Sequence, residues 1–166
     1  RSLHANREPR LAFVSIHLNA GGADASGIET YFAWPKNPEV MVRIDAANRV
    51  PDGMSVVDER GRLLAEALQA HVCETTGARN RGVKNQPQLS VISRTQCPAV
   101  LVECGFLSHP AECAAIQTDE YRAKIVRGLA DGIDRWLHQA EEPGFGITHE
   151  PAADRLPHAP PAVENP

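Results

Sequence analysis

FVSIHLNAGG, residues 13–22, decides how the rest of the chain is read. From Leu11 onward an unbroken run of small or apolar side chains (Leu11, Ala12, Phe13, Val14, Ser15, Ile16) ends on the imidazole of His17, with Gly21-Gly22 shortly behind. Short continuous runs of this kind suit strands covered on both faces, as in a parallel sheet. In open α/β sheets, ligands sit just outside the carboxyl ends of such strands. The strand is expected to stop at His17, which would place a titratable group at that crevice. The pattern recurs once: Ala99, Val100, Leu101 and Val102 lead directly into Glu103, followed by Cys104 and Gly105. Two strand ends, one histidine and one glutamate, are therefore expected to face one crevice.

Around these two strands the periodicities predict an α/β domain: a single mostly parallel sheet with helices packed on both faces. SGIETYFAW, residues 26–34, alternates in the period-two manner of a strand with one more polar face. Residues 35–58 carry Pro35, Pro38, Pro51 and Gly53 with weak periodicity, and read as a long surface loop with room for a short helix at 39–48. In residues 59–76, Leu63, Leu64, Ala67, Leu68 and Val72 share one helical stripe, and Gly77 stands where a left-handed cap belongs. Residues 78–88 read as a polar, basic loop and 89–93 as a short strand. Ser108-His109-Pro110 opens a short helix through Ile116. Asp119 is expected to cap a long amphipathic helix with Tyr121, Ile125, Leu129, Ile133 and Leu137 on its apolar face, widened by Val126 and Trp136. Residues 1–140 then form one domain. Residues 141–166 hold six of the thirteen prolines and almost no large apolar side chain, the composition of a disordered tail.

Composition narrows the function. A chain of 166 residues with 42% apolar content builds one ordinary domain. A net charge of -4, from 17 Lys+Arg against 21 Asp+Glu, is no electrostatic footprint for nucleic acid. No apolar stretch approaches the roughly 20 residues that span a bilayer. Cys73, Cys97, Cys104 and Cys113 have neither metal-ribbon spacing nor a dense framework and read as buried or free thiols. Arg1 in place of Met, with no signal-peptide pattern ahead of Leu11, leads to the expectation that the N-terminal part of the domain and any export signal lie upstream.

On position alone, His17 is either a hydrogen-bonded structural residue or a ligand. Glu103 follows four aliphatic residues, so its carboxylate is solvated at a cleft edge, paired with a cation, or raised in pKa. A salt bridge to Arg81 or Lys84 is the plain structural reading; a reactive carboxyl is the functional one. Arg79, Arg81 and Lys84 are correspondingly a solvated loop or a substrate contact. His109 beside Cys104 matches no standard metal spacing, and a helix cap ahead of Pro110 explains it better.

Taken together, Arg1-x-x-x-Ala5-Asn6 leading into FVSIHLNA, then SGIETYF, GARNRGVKN and PAVLVECGFLSHPAE, in that order, resemble the zinc-dependent N-acetylmuramoyl-L-alanine amidases that cut bacterial peptidoglycan. The resemblance covers most of residues 1–137. It implies that His17 is a Zn2+ ligand and Glu103 the catalytic carboxylate, that the substrate is peptidoglycan, and that the site of action is periplasmic or extracellular. It also implies two further ligands, a His in a GHGG segment and a Glu ahead of a helix, neither of which matches any residue here. The family's usual Asn is His109 in this chain, at a position read as a cap. A fragment with one of three ligands is expected to be inactive and prone to aggregate. Arg81 and Lys84 are then candidates to hold stem-peptide carboxylates. The alternatives are a non-catalytic peptidoglycan-binding module of the same fold and an unassigned cytosolic α/β domain.

Overall fold

The computed structural model describes residues 11–47 and 54–151. Among them a mixed sheet is formed by β1 (Phe13–Asn19), β5 (Ala99–Phe106), β2 (Ile28–Phe32) and β4 (Asn80–Asn85), in that spatial order. β1 lies parallel to β5 and β2 parallel to β4, while the central β5–β2 pair is antiparallel. The antiparallel joint brings the beginnings of β2 and β4 to the end of the sheet where β1 and β5 finish. Both α2 (Arg60–Thr76) and α5 (Asp119–Ala140) pack on one face, and the single turn α3 (Ser90–Ser93) covers the other.

The larger core joins Ile28, Val100 and Val102 of the sheet to Leu64, Leu68 and Val72 of α2 and to Leu129 and Trp136 of α5. α2 and α5 approach closely because α5 presents glycine at the crossing: a Cβ on Gly128 would lie 2.6 Å from the Cα of Val72. Any side chain there would force the helices apart. Trp136 donates its indole N–H to the Arg60 carbonyl at 3.1 Å, so its polar edge is satisfied in the core. Gln69 of α2 does the same for the sheet, accepting from Thr30 Oγ1 at 2.8 Å and donating to the Ile28 carbonyl at 2.8 Å and to Asn80 Oδ1 at 2.7 Å. On the opposite face Phe13, Tyr31, Ala99 and Leu101 meet Ile92, and the buried Lys36 donates to the carbonyls of Ile92 (3.0 Å) and Cys97 (3.2 Å).

Several expectations change. β1 does not stop at His17 but continues to Asn19, and β5 runs past Glu103 to Phe106. Residues 35–58, read as a long loop with room for a short helix at 39–48, do hold that helix, α1 (Pro38–Ala47), and in addition the unexpected strand β3 (Met54–Asp58). β3 pairs antiparallel with β6 (Ile147–Pro151), within the stretch read as tail; residues 152–166 lie outside the described residues. β4 occupies the basic stretch read as loop, because an edge strand can keep a polar, half-exposed sequence. Residues 89–93 form a helical turn, a segment too short for periodicity to separate strand from helix.

At the last two helices, His109 caps α4 (Pro110–Ile116), its Nδ1 accepting from the Glu112 N–H at 3.3 Å. Thr118 rather than Asp119 caps α5. Val126 is exposed on α5 instead of joining its apolar face. Ile16 and Leu18 of β1, an edge strand among the described residues, are exposed as well. No helix among the described residues is long and apolar enough to cross a membrane.

Candidate active site

The register places His17 directly beside Glu103 across β1 and β5, and Glu103 directly opposite Glu29 across β5 and β2. Residues paired in this way point to the same sheet face. A row of three titratable side chains therefore crosses three adjacent strands. The fourth strand extends it: between the pairs Ile28↔Asn80 and Thr30↔Val83, Glu29 faces two residues, Arg81 and Gly82. That extra residue is a β-bulge, and Gly82, at φ 85°, supplies the left-handed conformation it uses. Bulges re-aim side chains, and this one delivers Arg81 to Glu29.

Glu29 is almost wholly enclosed, its side chain 4% exposed, and is saturated with donors. Oε2 accepts from Arg81 Nε at 2.8 Å and from Lys84 Nζ. Oε1 accepts from Asn19 Nδ2 at 2.9 Å and from the Tyr31 hydroxyl. Burial pushes the carboxyl up, but the hydrogen bonds from Lys84, Tyr31 and Arg81 outweigh it and bring the pKa down to about 2. The same contact, after burial, raises the Tyr31 phenol well above its ordinary range. Aromatic faces meet the charged heads of both cations: the Arg81 guanidinium lies 4.9 Å from the Phe106 ring centre and the Lys84 ammonium 5.7 Å from that of Tyr31.

Glu103 has the opposite surroundings. Its Oε2 is buried with no hydrogen-bond partner among the described residues. Burial, and secondarily the negative charge of Glu29, push its pKa up. The salt bridge from Arg81 or Lys84 to Glu103, which the sequence left open, does not form because Glu29 takes both cations. Of the three possibilities for a carboxylate following a buried aliphatic run, the structure has the raised pKa.

Backbone anchors fix the row. Glu112 Oε1 accepts the Gly27 N–H at 2.6 Å and its Oε2 the Phe106 N–H at 2.8 Å, tying the start of β2 to the end of β5. The Gly21 N–H donates to Ser108 Oγ at 2.9 Å, securing the loop after β1.

All four residues singled out from sequence, His17, Glu103, Arg81 and Lys84, thus gather at one end of the sheet. Glu29, Asn19, Tyr31 and Glu112 were missed. A signal for Glu29 was present: a glutamate between Ile28 and Thr30 in a strand needs cations nearby, and the basic cluster supplies them.

Fitting a metal to this donor set gives a partial answer. His17 is half-buried beside the orphaned oxygen-bearing Glu103, an imidazole and a carboxyl of the types zinc sites use. Among the described residues no three His, Cys, Asp or Glu side chains come together as a metal holder. The row therefore agrees with one corner of a zinc site and does not complete one.

Comparison with known proteins adds the family. The model of the N-acetylmuramoyl-L-alanine amidase family matches residues 1–135. An uncharacterised protein of Bacillus subtilis, YqiI, is 32% identical over 127 residues, 76% of this chain and 52% of its own. The endolysin of Bacillus phage SPP1 is 30% identical over 146 residues, covering 87% of this chain and 46% of its own. The crystal structure of an N-acetylmuramoyl-L-alanine amidase from Clostridium difficile 630 superposes with a TM-score of 0.66 at 27% identity, covering 82% of this chain and 63% of that one. The chain spans about half the length of the two curated relatives.

Proposed function

The chain belongs to the N-acetylmuramoyl-L-alanine amidase family, and from that membership we propose that the intact protein is a zinc-dependent peptidoglycan hydrolase of the cell envelope, periplasmic or extracellular. The bond cut is the amide between the lactyl group of N-acetylmuramic acid and the L-alanine of the stem peptide. The observation that carries the proposal is the in-register pair His17 and Glu103, with one Glu103 oxygen buried and without a hydrogen-bond partner among the described residues.

In this reading His17 would be one of the residues that hold the zinc, and the others would come from outside the described residues. The ion, when bound, would supply Lewis-acid chemistry, acidifying the attacking water and polarising the scissile carbonyl. Glu103 takes the proton of the attacking water and later delivers one to the leaving amine, for which a carboxyl with raised proton affinity is suited. Arg81 and Lys84 keep donors that Glu29 does not use, and their side chains are 26% and 38% exposed. Two cations against one buried carboxylate leave a positive charge, which serves to hold a stem-peptide carboxylate.

Release of peptide stems from purified muropeptides by the intact protein, with and without a chelator, is the test. Chelator-sensitive release that disappears in Glu103→Gln is expected. Near-normal release by that variant would remove Glu103 from the reaction, and binding without cleavage by the wild type would return the protein to the non-catalytic alternative.

A further inference from the structure

We propose that Glu29 is a positioning residue that holds Arg81 and Lys84 away from Glu103, so that the reacting carboxyl meets its substrate unpaired. The proposal rests on the amidase reading above. Its starting point is the contrast between two carboxylates that face each other across β5 and β2, a pairing that sets Cβ atoms about 5 Å apart. Both cations converge on the Oε2 of Glu29, while the Oε2 of Glu103 has no hydrogen-bond partner among the described residues. With Asn19 and Tyr31 on its other oxygen, Glu29 has its acceptor positions filled and is left with no capacity to act as metal ligand or base.

What the arrangement does is keep two long basic side chains engaged beside a carboxyl that they would otherwise reach. Released from Glu29, the Arg81 guanidinium over Phe106 or the Lys84 ammonium over Tyr31 has Glu103 as the next carboxyl, one strand beyond Glu29. A cation there would favour the ionised carboxylate and occupy the lone pairs that receive the water's proton, weakening Glu103 as a base. A carboxylate kept only for fold stability would not need to hold both cations; one would neutralise it.

The role is read out by suppression. In the intact protein, Glu29→Gln is expected to lower kcat on muropeptides by about tenfold, part of what a general base contributes. The same change made in an Arg81→Gln, Lys84→Met background should leave kcat within about threefold of that parent, because neither of the two cations released by Glu29 is there to move onto Glu103.

An activity-independent measurement accompanies it. Glu103→Gln should not lower the melting temperature of otherwise wild-type protein, but should lower it by about 3 °C in the Glu29→Gln background, where a new ion pair is lost. Equal kcat losses with and without the cations would overturn the proposal, as would equal melting effects of Glu103→Gln in both backgrounds. So would a Glu29→Gln protein that folds only after the cations are removed, since transfer to Glu103 would have satisfied them. A wild-type protein that cleaves no muropeptide refutes the amidase reading instead, and the melting comparison then decides the positioning role by itself.

Discussion

Glu29 and Glu103 stand opposite each other on adjacent strands of one sheet, on one face, and differ in nearly everything that matters chemically. Glu29 is the more enclosed of the two and yet the stronger acid, at about 2, because four donors meet its oxygens. Glu103 is the weaker acid, because burial, and after it the negative charge of Glu29, raise its pKa, and no hydrogen bond to its buried oxygen from the described residues offsets them. Burial pushes both carboxyls up, and only Glu29 has the donors that reverse it. What the pair teaches is that partners, not burial, decide whether a carboxylate on a sheet face is structural ballast or a reactive group.

The largest effect that sharpens this contrast is functional and belongs to Glu103. Glu103→Gln should reduce turnover by about 10²- to 10⁴-fold, the usual contribution of a general acid–base group, while thermal melting shows no loss of stability. An equally large fall in melting temperature would mean that Glu103 is held by interactions as Glu29 is, and the contrast would fail. Next comes Glu29→Gln, where the effect moves to stability. Removing the acceptor breaks a buried pair, and the shift of a cation onto Glu103 recovers only part of it, so the loss is expected to be about 2 kcal/mol in denaturant unfolding, below the roughly 3–5 kcal/mol of a buried pair whose remaining charge finds no partner. A loss below about 1 kcal/mol would place Glu29 among ordinary surface ion pairs.

Acid separates the two carboxyls in sign. Glu29 has a folded pKa lowered from 4.5 to about 2, so its stabilising contribution is fully present above about pH 4.5 and is lost as pH falls from there towards 2. Glu103 is raised, so the folded state holds that proton more tightly than the unfolded chain. Its contribution favours folding at low pH and declines as pH rises above 4.5. Between pH 4.5 and 2 the wild type should therefore lose stability faster than Glu29→Gln does. Urea midpoints at pH 3 and pH 6 check this, and parallel behaviour of the two proteins would show that Glu29 is not the group responsible.

How much of this was legible in the sequence follows from the kind of signal each part leaves. The apolar runs of β1 and β5 and the stripes of α2 and α5 are periodic, so these elements, the α/β class and the two polar residues His17 and Glu103 could be read directly. The strand ends could not, since β1 and β5 continue two and three residues beyond the polar residue that seemed to stop them. β4 was hidden because an edge strand does not need apolar alternation, and β3 with β6 because their partnership joins segments far apart in the chain. Glu29 was hidden for a topological reason. Its strand runs antiparallel to β5, so the start of β2, which a fully parallel sheet would carry to the far end, arrives at the site instead.

The smallest effect concerns Lys84, and it tests whether the four donors around Glu29 are of equal weight. Lys84 is 38% exposed and shares the Glu29 Oε2 with Arg81, whose guanidinium is both more enclosed and placed by the bulge at Gly82. When Lys84→Met removes the ammonium, Glu29 retains Arg81, Asn19 and Tyr31 as donors, so no buried acceptor is orphaned. Methionine is also close to the lysine stem in length and places a thioether, which contacts aromatic rings favourably, in reach of Tyr31. Stability should therefore fall by no more than about 1 kcal/mol, the magnitude of a partly exposed pair, and kcat should stay near the wild-type value. KM for a carboxylate-bearing muropeptide should rise about tenfold, because charge-assisted hydrogen bonds are worth roughly 1.5–3 kcal/mol when made, and the rise should shrink as salt is added. A stability loss matching that of Glu29→Gln would show Lys84, not Arg81, to be the principal partner of the buried carboxylate. An unchanged KM would leave Lys84 a purely structural neighbour of Glu29.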